Sequence, residues 1–338
     1  MNLKDSNYSK YALVQEMMQT IEVVKKFNPD QTKAVAEEIK SAGRLLLTGE
    51  GSSRIFPAKH AIRKALTWGM NLSIFTDGSR QSAQYNLSKL AVFCASNSGR
   101  TKEVVLLAKK LATMGNEKRY ALTANNDTLL EKECKKTFVL NCGWEQAVAA
   151  TKSVIEQTLF YESILWNIKG IDKISDCLKL PAFIEEALTL PISQEIVDLA
   201  VKAPTIYFAG YNDGVAEELT LKTNEITRKK SDFLEGTYAV HGIEEVMDKN
   251  DIVFVIDPID EEIEKFQEVL AKGVGLKVIA IADRDTPFTT IRIPSAGEMN
   301  PYVFLSAGWN LLVEIGLAMG INLDKPERAR KVGNEFIG

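Results

Sequence analysis

The chain has 338 residues, 45% hydrophobic and 25% charged, an ordinary globular composition. That length predicts two domains, each able to bury a core without disulfides or metals. A net charge of −4 and a pI near 5.6 exclude a basic nucleic-acid footprint, and two histidines, His60 and His241, speak against a histidine-based metal centre.

The opening stretch MNLKDSNYSKYALVQ holds no apolar leader segment. Cys94, Cys134, Cys142 and Cys177 form no C-x-x-C pair and read as reduced thiols of a cytoplasmic protein. A helix is predicted over 11–27. RLLLTGEGSS (44–53) then reads as a short buried strand, a glycine and a helix start, followed by a helix over 58–69. LAVFCASNSG (90–99) repeats the strand-then-turn pattern ahead of a helix over 101–115, and strands are predicted at 119–124 and 137–142. An amphipathic helical join is expected within 179–204. The second half opens with TIYFAGYNDG (205–214), a helix over 213–230 and DIVFVIDPID (251–260), with strands at 277–282 and 290–294. The apolar stretch 301–320 is interrupted by Asn310 and Glu314 and reads as a core helix rather than a membrane span, which wants about 18 apolar residues with few charges.

The halves repeat. Gly49 and Gly210 stand 161 residues apart, as do Val92 and Val253 (210 − 49 and 253 − 92). Equal offsets at two separate elements argue for internal duplication. Short apolar strands alternating with helices of about 10–15 residues predict an α/β fold, with parallel sheets covered by helices on both faces.

In such sheets ligands sit beyond the carboxyl ends of the strands. TGEGSS and SNSGRT both lie there, and both open helices whose free N–H groups favour an anion. Ser53, Ser96, Ser98 and Thr101 add hydroxyls, Asn97 adds an amide, and Gly99 lets the backbone come close. This donor set suits a phosphate monoester. Plain helix capping explains one hydroxyl, not the crowd. The second-half counterpart of SNSG is DPID (257–260), whose carboxylates repel phosphate, so only the first half is expected to hold the anion. A dinucleotide site fits less well: Arg54 stands where a third glycine is needed, and the Walker A pattern is absent.

On the helix 213–230, Lys222 interrupts the apolar stripe, with Glu218 four residues before it and Glu225 three after. Two readings stand: a solvated ladder of ion pairs, Glu218–Lys222 and Glu225–Lys229, or an acid–base group. His241, followed by a glycine in a loop, reads either as a surface histidine or as a second acid–base group. His60 reads as a structural helix residue.

These motifs resemble the sugar isomerase (SIS) family, nearest to the isomerase half of glucosamine-6-phosphate synthase and its stand-alone relatives, over essentially the whole chain. The family's phosphate loops match Gly51-Ser52-Ser53 and Ser96-Asn97-Ser98-Gly99-Arg100-Thr101; a sugar-lining segment matches GWEQAVAATK (143–152), with Glu145 and Val148; K-x-x-E and H-G match Lys222, Glu225, His241 and Gly242. A tail with D-x-P and a lysine offers Asp324, Pro326 and Lys331. Ala150 stands where the synthase has a serine, EGTYAVHG departs from the family's usual stretch, and Arg100 stays unassigned.

The resemblance implies two tandem SIS domains, each a flavodoxin-like three-layer unit. The expected boundaries are 1–28 for a helical segment, 29–180 and 181–320 for the two domains, and 321–338 for a closing tail. It implies a sugar 6-phosphate substrate, with Gly51, Ser52, Glu145 and Val148 touching the sugar. The implied chemistry is ring opening by His241, proton transfer between C1 and C2 by Glu225, and oxyanion stabilisation by Lys222 or Lys331, with no metal or organic cofactor. The activity implied is aldose–ketose isomerisation or aminosugar-6-phosphate deamination, with fructosamine-6-phosphate deglycation and non-catalytic phosphosugar sensing as alternatives. A homodimer sharing sites between subunits is expected, with no nucleic-acid or membrane partner. The amidotransferase domain of the synthase has no counterpart here, so a glutamine-dependent synthase is not expected.

Overall fold

The computed structural model describes residues 1–337. It divides into two compact units, and the chain passes between them more than once. One comprises Glu22–Gln146, Ala150–Leu178 and the tail from Ala329; the other comprises Met1–Ile21, Ala147–Ala149 and Lys179–Arg328.

The first unit holds five parallel strands: β1 (Arg44–Gly49), β2 (Ser73–Gly78), β3 (Ala91–Ala95), β4 (Arg119–Thr123) and β5 (Lys136–Val139), in the order β2-β1-β3-β4-β5. Strand alternation sorts the side chains. Leu46, Val92, Cys94 and Ala121 face the apolar stripe of the helix Lys102–Thr113, through Val104, Val105, Ala108 and Leu111. Phe93, between Val92 and Cys94, points to the opposite face. There its ring lies 5.7 Å from Phe160 and 5.4 Å from Tyr161 of the helix Lys152–Lys169. With both faces covered, β3 is buried at every residue, which is why it reads as an unbroken apolar run.

The second unit repeats the arrangement with β6 (Thr205–Gly210), β7 (Lys230–Glu235), β8 (Ile252–Ile256), β9 (Lys277–Ala282) and β10 (Thr289–Arg292). Its order, β10-β9-β8-β6-β7, is the order of the first sheet, position for position. The helix Val215–Thr227 packs against the helix Asn300–Ala318. The stretch Gly297–Ala318 is, among the described residues, the one helix long and apolar enough to cross a membrane, and 78% of its apolar window is buried within the protein. Asn310 is accommodated there because its amide donates to the carbonyls of Leu190 (2.7 Å) and Ala187 (3.2 Å).

Two expectations need correction. The join is not one helix but two, Ile174–Thr189 and Gln194–Lys202, separated around Pro191, which has no N–H to continue a helix. The strands β2 and β7 were not anticipated. Each lies at a sheet edge with a single strand neighbour, and SIFTDG and KSDFLE carry the polar residues that a half-exposed edge tolerates.

Candidate functional site

In the first sheet the chain runs from β1 to β2 on one side and then to β3 on the other. The order therefore reverses between β1 and β3, and a crevice opens at their carboxyl ends. The two serine-bearing loops leave those ends. Gly49 closes the gap between them: a Cβ there would lie 2.9 Å from the Ala95 carbonyl. The turn Gly51–Ser53 leads into the helix Ile55–Thr67, and the partly exposed Ser53 hydroxyl has no hydrogen-bond partner among the described residues.

In the second loop, Ser96 is 2% exposed, and its hydroxyl lies 2.8 Å from that of Thr101 and 3.5 Å from that of Ser98. Gly99 adopts φ +63°, and a Cβ there would lie 2.3 Å from the Thr128 Cβ, so glycine is demanded by both conformation and space. The Asn97 amide is fixed by its neighbours: Nδ2 donates to Glu145 Oε2 at 2.8 Å and to the Ser153 hydroxyl at 3.3 Å. The flipped amide would set its carbonyl against a carboxylate. Both amide hydrogens are thus committed within the chain. Among the described residues, no acceptor meets the backbone N–H of Asn97 or Ser98, and these remain for an anion.

Glu145 is fully buried. Besides Asn97 it accepts from the Thr151 backbone N–H (2.7 Å), the Thr151 hydroxyl (3.2 Å) and the Ser153 hydroxyl (2.5 Å), and Lys331 Nζ lies 3.9 Å from it. The tail continues along the loop. Asn334 accepts from the Lys102 backbone N–H (3.0 Å), and the Phe336 N–H donates to the Arg100 carbonyl (2.9 Å). One helix N–H expected to face an anion is therefore taken by the tail. Arg100 turns outward to the tail as well, with its guanidinium 3.3 Å from Glu335.

In the other unit, Lys222 and Glu218 are completely buried, which removes the solvated-ladder reading. Lys222 Nζ lies 2.6 Å from Glu225 and 3.3 Å from Glu218, while Lys229 donates to the Val201 carbonyl. Burial alone would lower the Lys222 pKa, but the Glu225 and Glu218 carboxylates raise it above its ordinary value. His241 is exposed on the loop after β7, and its ring makes no hydrogen bond among the described residues. Asp324 caps the first long helix by accepting from Ala12 (3.0 Å) and Leu13 (2.8 Å), which accounts for the aspartate of D-x-P. The Val148 amide lies 3.5 Å from the Asp324 carbonyl. In DPID, Asp257 takes φ +47° and is clamped 2.5 Å from Arg284, which also bonds Asp260.

Of the residues singled out from the sequence, Gly51, Ser52, Ser53, Ser96, Asn97, Ser98, Thr101, Glu145 and Lys331 thus belong to the first unit. Val148, Lys222, Glu225 and His241 belong to the second. Thr151 and Ser153 were missed as members of the Glu145 network. Their only signal is that they flank the lysine of ATKS, six and eight residues from Glu145.

Residues 38–166 match the SIS domain family. Over 321 residues the chain is 26% identical to glutamine–fructose-6-phosphate aminotransferase (isomerizing) of Neisseria meningitidis serogroup A, covering 88% of this chain and 52% of that protein. The chain thus spans about half the length of the curated relatives it matches. Its fold is that of glucosamine-6-phosphate deaminase from Thermotoga maritima (TM-score 0.72, 20% identity, 95% of this chain and 99% of that one). It is also that of tagatose-6-phosphate ketose/aldose isomerase from Escherichia coli (TM-score 0.76, 17% identity, 96% and 99%).

Proposed function

Proceeding from a SIS domain carried in residues 38–166, we propose that the chain is a phosphosugar aldose–ketose isomerase or an aminosugar-6-phosphate deaminase. The observation that carries this reading is the cup at the β1/β3 reversal. There the loops leaving the two strands carry the hydroxyls of Ser53, Ser96, Ser98 and Thr101 and the N–H groups of Asn97 and Ser98, each loop opening a helix, a donor set that suits a phosphate monoester.

In this reading His241 moves a proton between the anomeric hydroxyl and the ring oxygen, opening the sugar. Its exposure supports a role towards a second copy of the chain. Glu225 takes the proton from C2 and returns it at C1. Its partner Lys222 is held inside the protein by two carboxylates, so its charge acts chiefly on Glu225. Lys331, at the cup, stabilises the developing oxyanion. With a 2-amino sugar, the same transfer yields a C2 ketimine, and water releases ammonia and leaves the ketose phosphate. The matched strand orders and the 161-residue offset support the reading of the second unit as a duplicated SIS domain, one that kept the sheet and lost the anion cup.

The test is a panel of hexose, hexosamine and fructosamine 6-phosphates, following ketose phosphate and released amine. Conversion of a hexose or hexosamine phosphate supports the proposal. Conversion of a fructosamine phosphate alone makes the chain a deglycase, and binding without any conversion makes it a sensor.

A further inference from the structure

A completely buried carboxylate has to be paired on every side. Glu145 is: Oε1 accepts from the N–H and hydroxyl of Thr151, and Oε2 from Asn97 and Ser153. Four donors use the in-plane lone pairs of both oxygens, so a sugar hydroxyl could bond this group only by displacing one of them. The donors come from two separate places, the loop after β3 and the start of the helix Lys152–Lys169. A third segment approaches as well, since Lys331 Nζ of the tail stands 3.9 Å from Glu145 Oε2, within the reach of its charge. The same network turns the Asn97 amide hydrogens inward and leaves Asn97 Oδ1 buried without a partner.

We propose that Glu145 is a positioning residue that does not touch the sugar. It fixes the Asn97 side chain of the phosphate loop and draws the Lys331 ammonium to the cup, so that loop and tail lysine act as one unit. This rests on the sugar-phosphate reading given above.

The test is a double-substitution cycle with Glu145→Gln and Lys331→Met, probed with fructose 6-phosphate and with inorganic phosphate by calorimetry. Glu145→Gln is expected to weaken fructose 6-phosphate at least about tenfold and inorganic phosphate less than about threefold, because the cup hydroxyls remain. On top of Lys331→Met it is expected to add less than about threefold, since its chief effect runs through that lysine. Three results overturn the proposal: a full repeat of the loss in the Lys331→Met background, a parallel loss of inorganic phosphate, or no loss at all. Should Glu145→Gln fail to fold, Asn97→Ala replaces it in the cycle, and losses that simply multiply overturn the coupling. A wild-type chain that binds neither probe overturns the sugar-phosphate reading and this proposal together. A chain that binds both while the cycle multiplies overturns this proposal alone.

Discussion

Lys222 Nζ sits 2.6 Å from the Glu225 carboxylate and has no exposed side-chain surface, with Glu218 3.3 Å away on the preceding turn. Removing the ammonium would leave two carboxylates facing one another, one of them wholly buried. Lys222→Met is therefore expected to cost about 3–5 kcal/mol, the usual cost of breaking a buried pair from one side. The pH dependence has a definite sign. The two carboxylates outweigh burial and hold the folded-state pKa above that of the unfolded chain, so the native state binds this proton more tightly. The contribution is complete below the ordinary lysine value of about 10.4 and drains away as pH rises through the higher folded value. Denaturant unfolding at pH 8 and near pH 11 should show the wild type losing part of its advantage over Lys222→Met at the upper end.

Glu225 is the less buried member of the trio, with 26% of its side chain exposed, so one carboxylate can face a ligand while the other is sealed. Glu225→Gln keeps the shape and removes the base. Turnover of whichever sugar phosphate the wild type converts should fall by at least about a thousandfold, the upper part of the range for a positioned acid–base group. The affinity for that sugar phosphate should stay within a few-fold. A fully active Glu225→Gln would remove this residue from the chemistry.

Much of this is legible in the sequence, and the reason is visible in β3 and β8. Strands covered on both faces must be apolar throughout, so AVFCA and IVFVI declare themselves, and the serines that follow AVFCA stand out against it. The edge strands β2 and β7 satisfy no such demand, and their mixed residues match loops as well as strands. The Glu145 network was hidden for a different reason. Asn97 is 48 residues away and Lys331 lies in the tail, and nothing periodic joins a carboxylate to donors that the fold brings together from separate segments. Arg100 was likewise unreadable because its partner, Glu335, lies 235 residues later.

Gly99 offers a sharper test of the cup. Its φ of +63° costs about 1–2 kcal/mol for any residue with a Cβ, and that Cβ would also sit 2.3 Å from Thr128. Gly99→Ala must therefore shift either the loop or the helix Leu129–Glu133, whose Leu130 N–H bonds the Gly99 carbonyl at 3.1 Å. A stability loss of about 2 kcal/mol or more is expected, since overpacking adds to the backbone strain, together with a loss of inorganic phosphate binding of at least about tenfold. Calorimetry on the folded fraction would separate the two.

The seat of the helix that carries Lys222 and Glu225 can be tested in the same way. Gly308 of the helix Asn300–Ala318 lies against Leu219, one turn before Lys222, and a Cβ at Gly308 would approach the Leu219 methyls to 2.3 and 2.5 Å. Leu219 is itself fully buried and cannot swing aside. Gly308→Ala should cost about 1–3 kcal/mol and, by displacing Glu225, lower turnover more than phosphate affinity. Leu219→Ala alone should destabilise by opening a cavity, but in combination with Gly308→Ala it should return part of both losses. Thermal melts and kinetics of the three variants give the answer, and purely additive losses would show that the helices do not meet through this contact.

The second sheet supplies the internal comparison. At its own reversal point, between β6 and β8, the loop leaving β8 presents Asp257 where the first sheet presents Ser96, with Asp260 close behind, and Arg284 is already bound to both. A phosphate arriving there would have to displace two carboxylates from one guanidinium, and Pro258 has no N–H to offer it. Removing the arginine would not create a site either, because it would leave the carboxylates bare. Titration with inorganic phosphate is therefore expected to saturate at one per chain. Ser96→Ala with Ser98→Ala should abolish most of that binding, whereas Arg284→Ala should leave it within about twofold, since that guanidinium is committed to Asp257 and Asp260 of the second sheet. A second equivalent of phosphate, lost in Arg284→Ala, would mean that the second sheet has an anion site of its own.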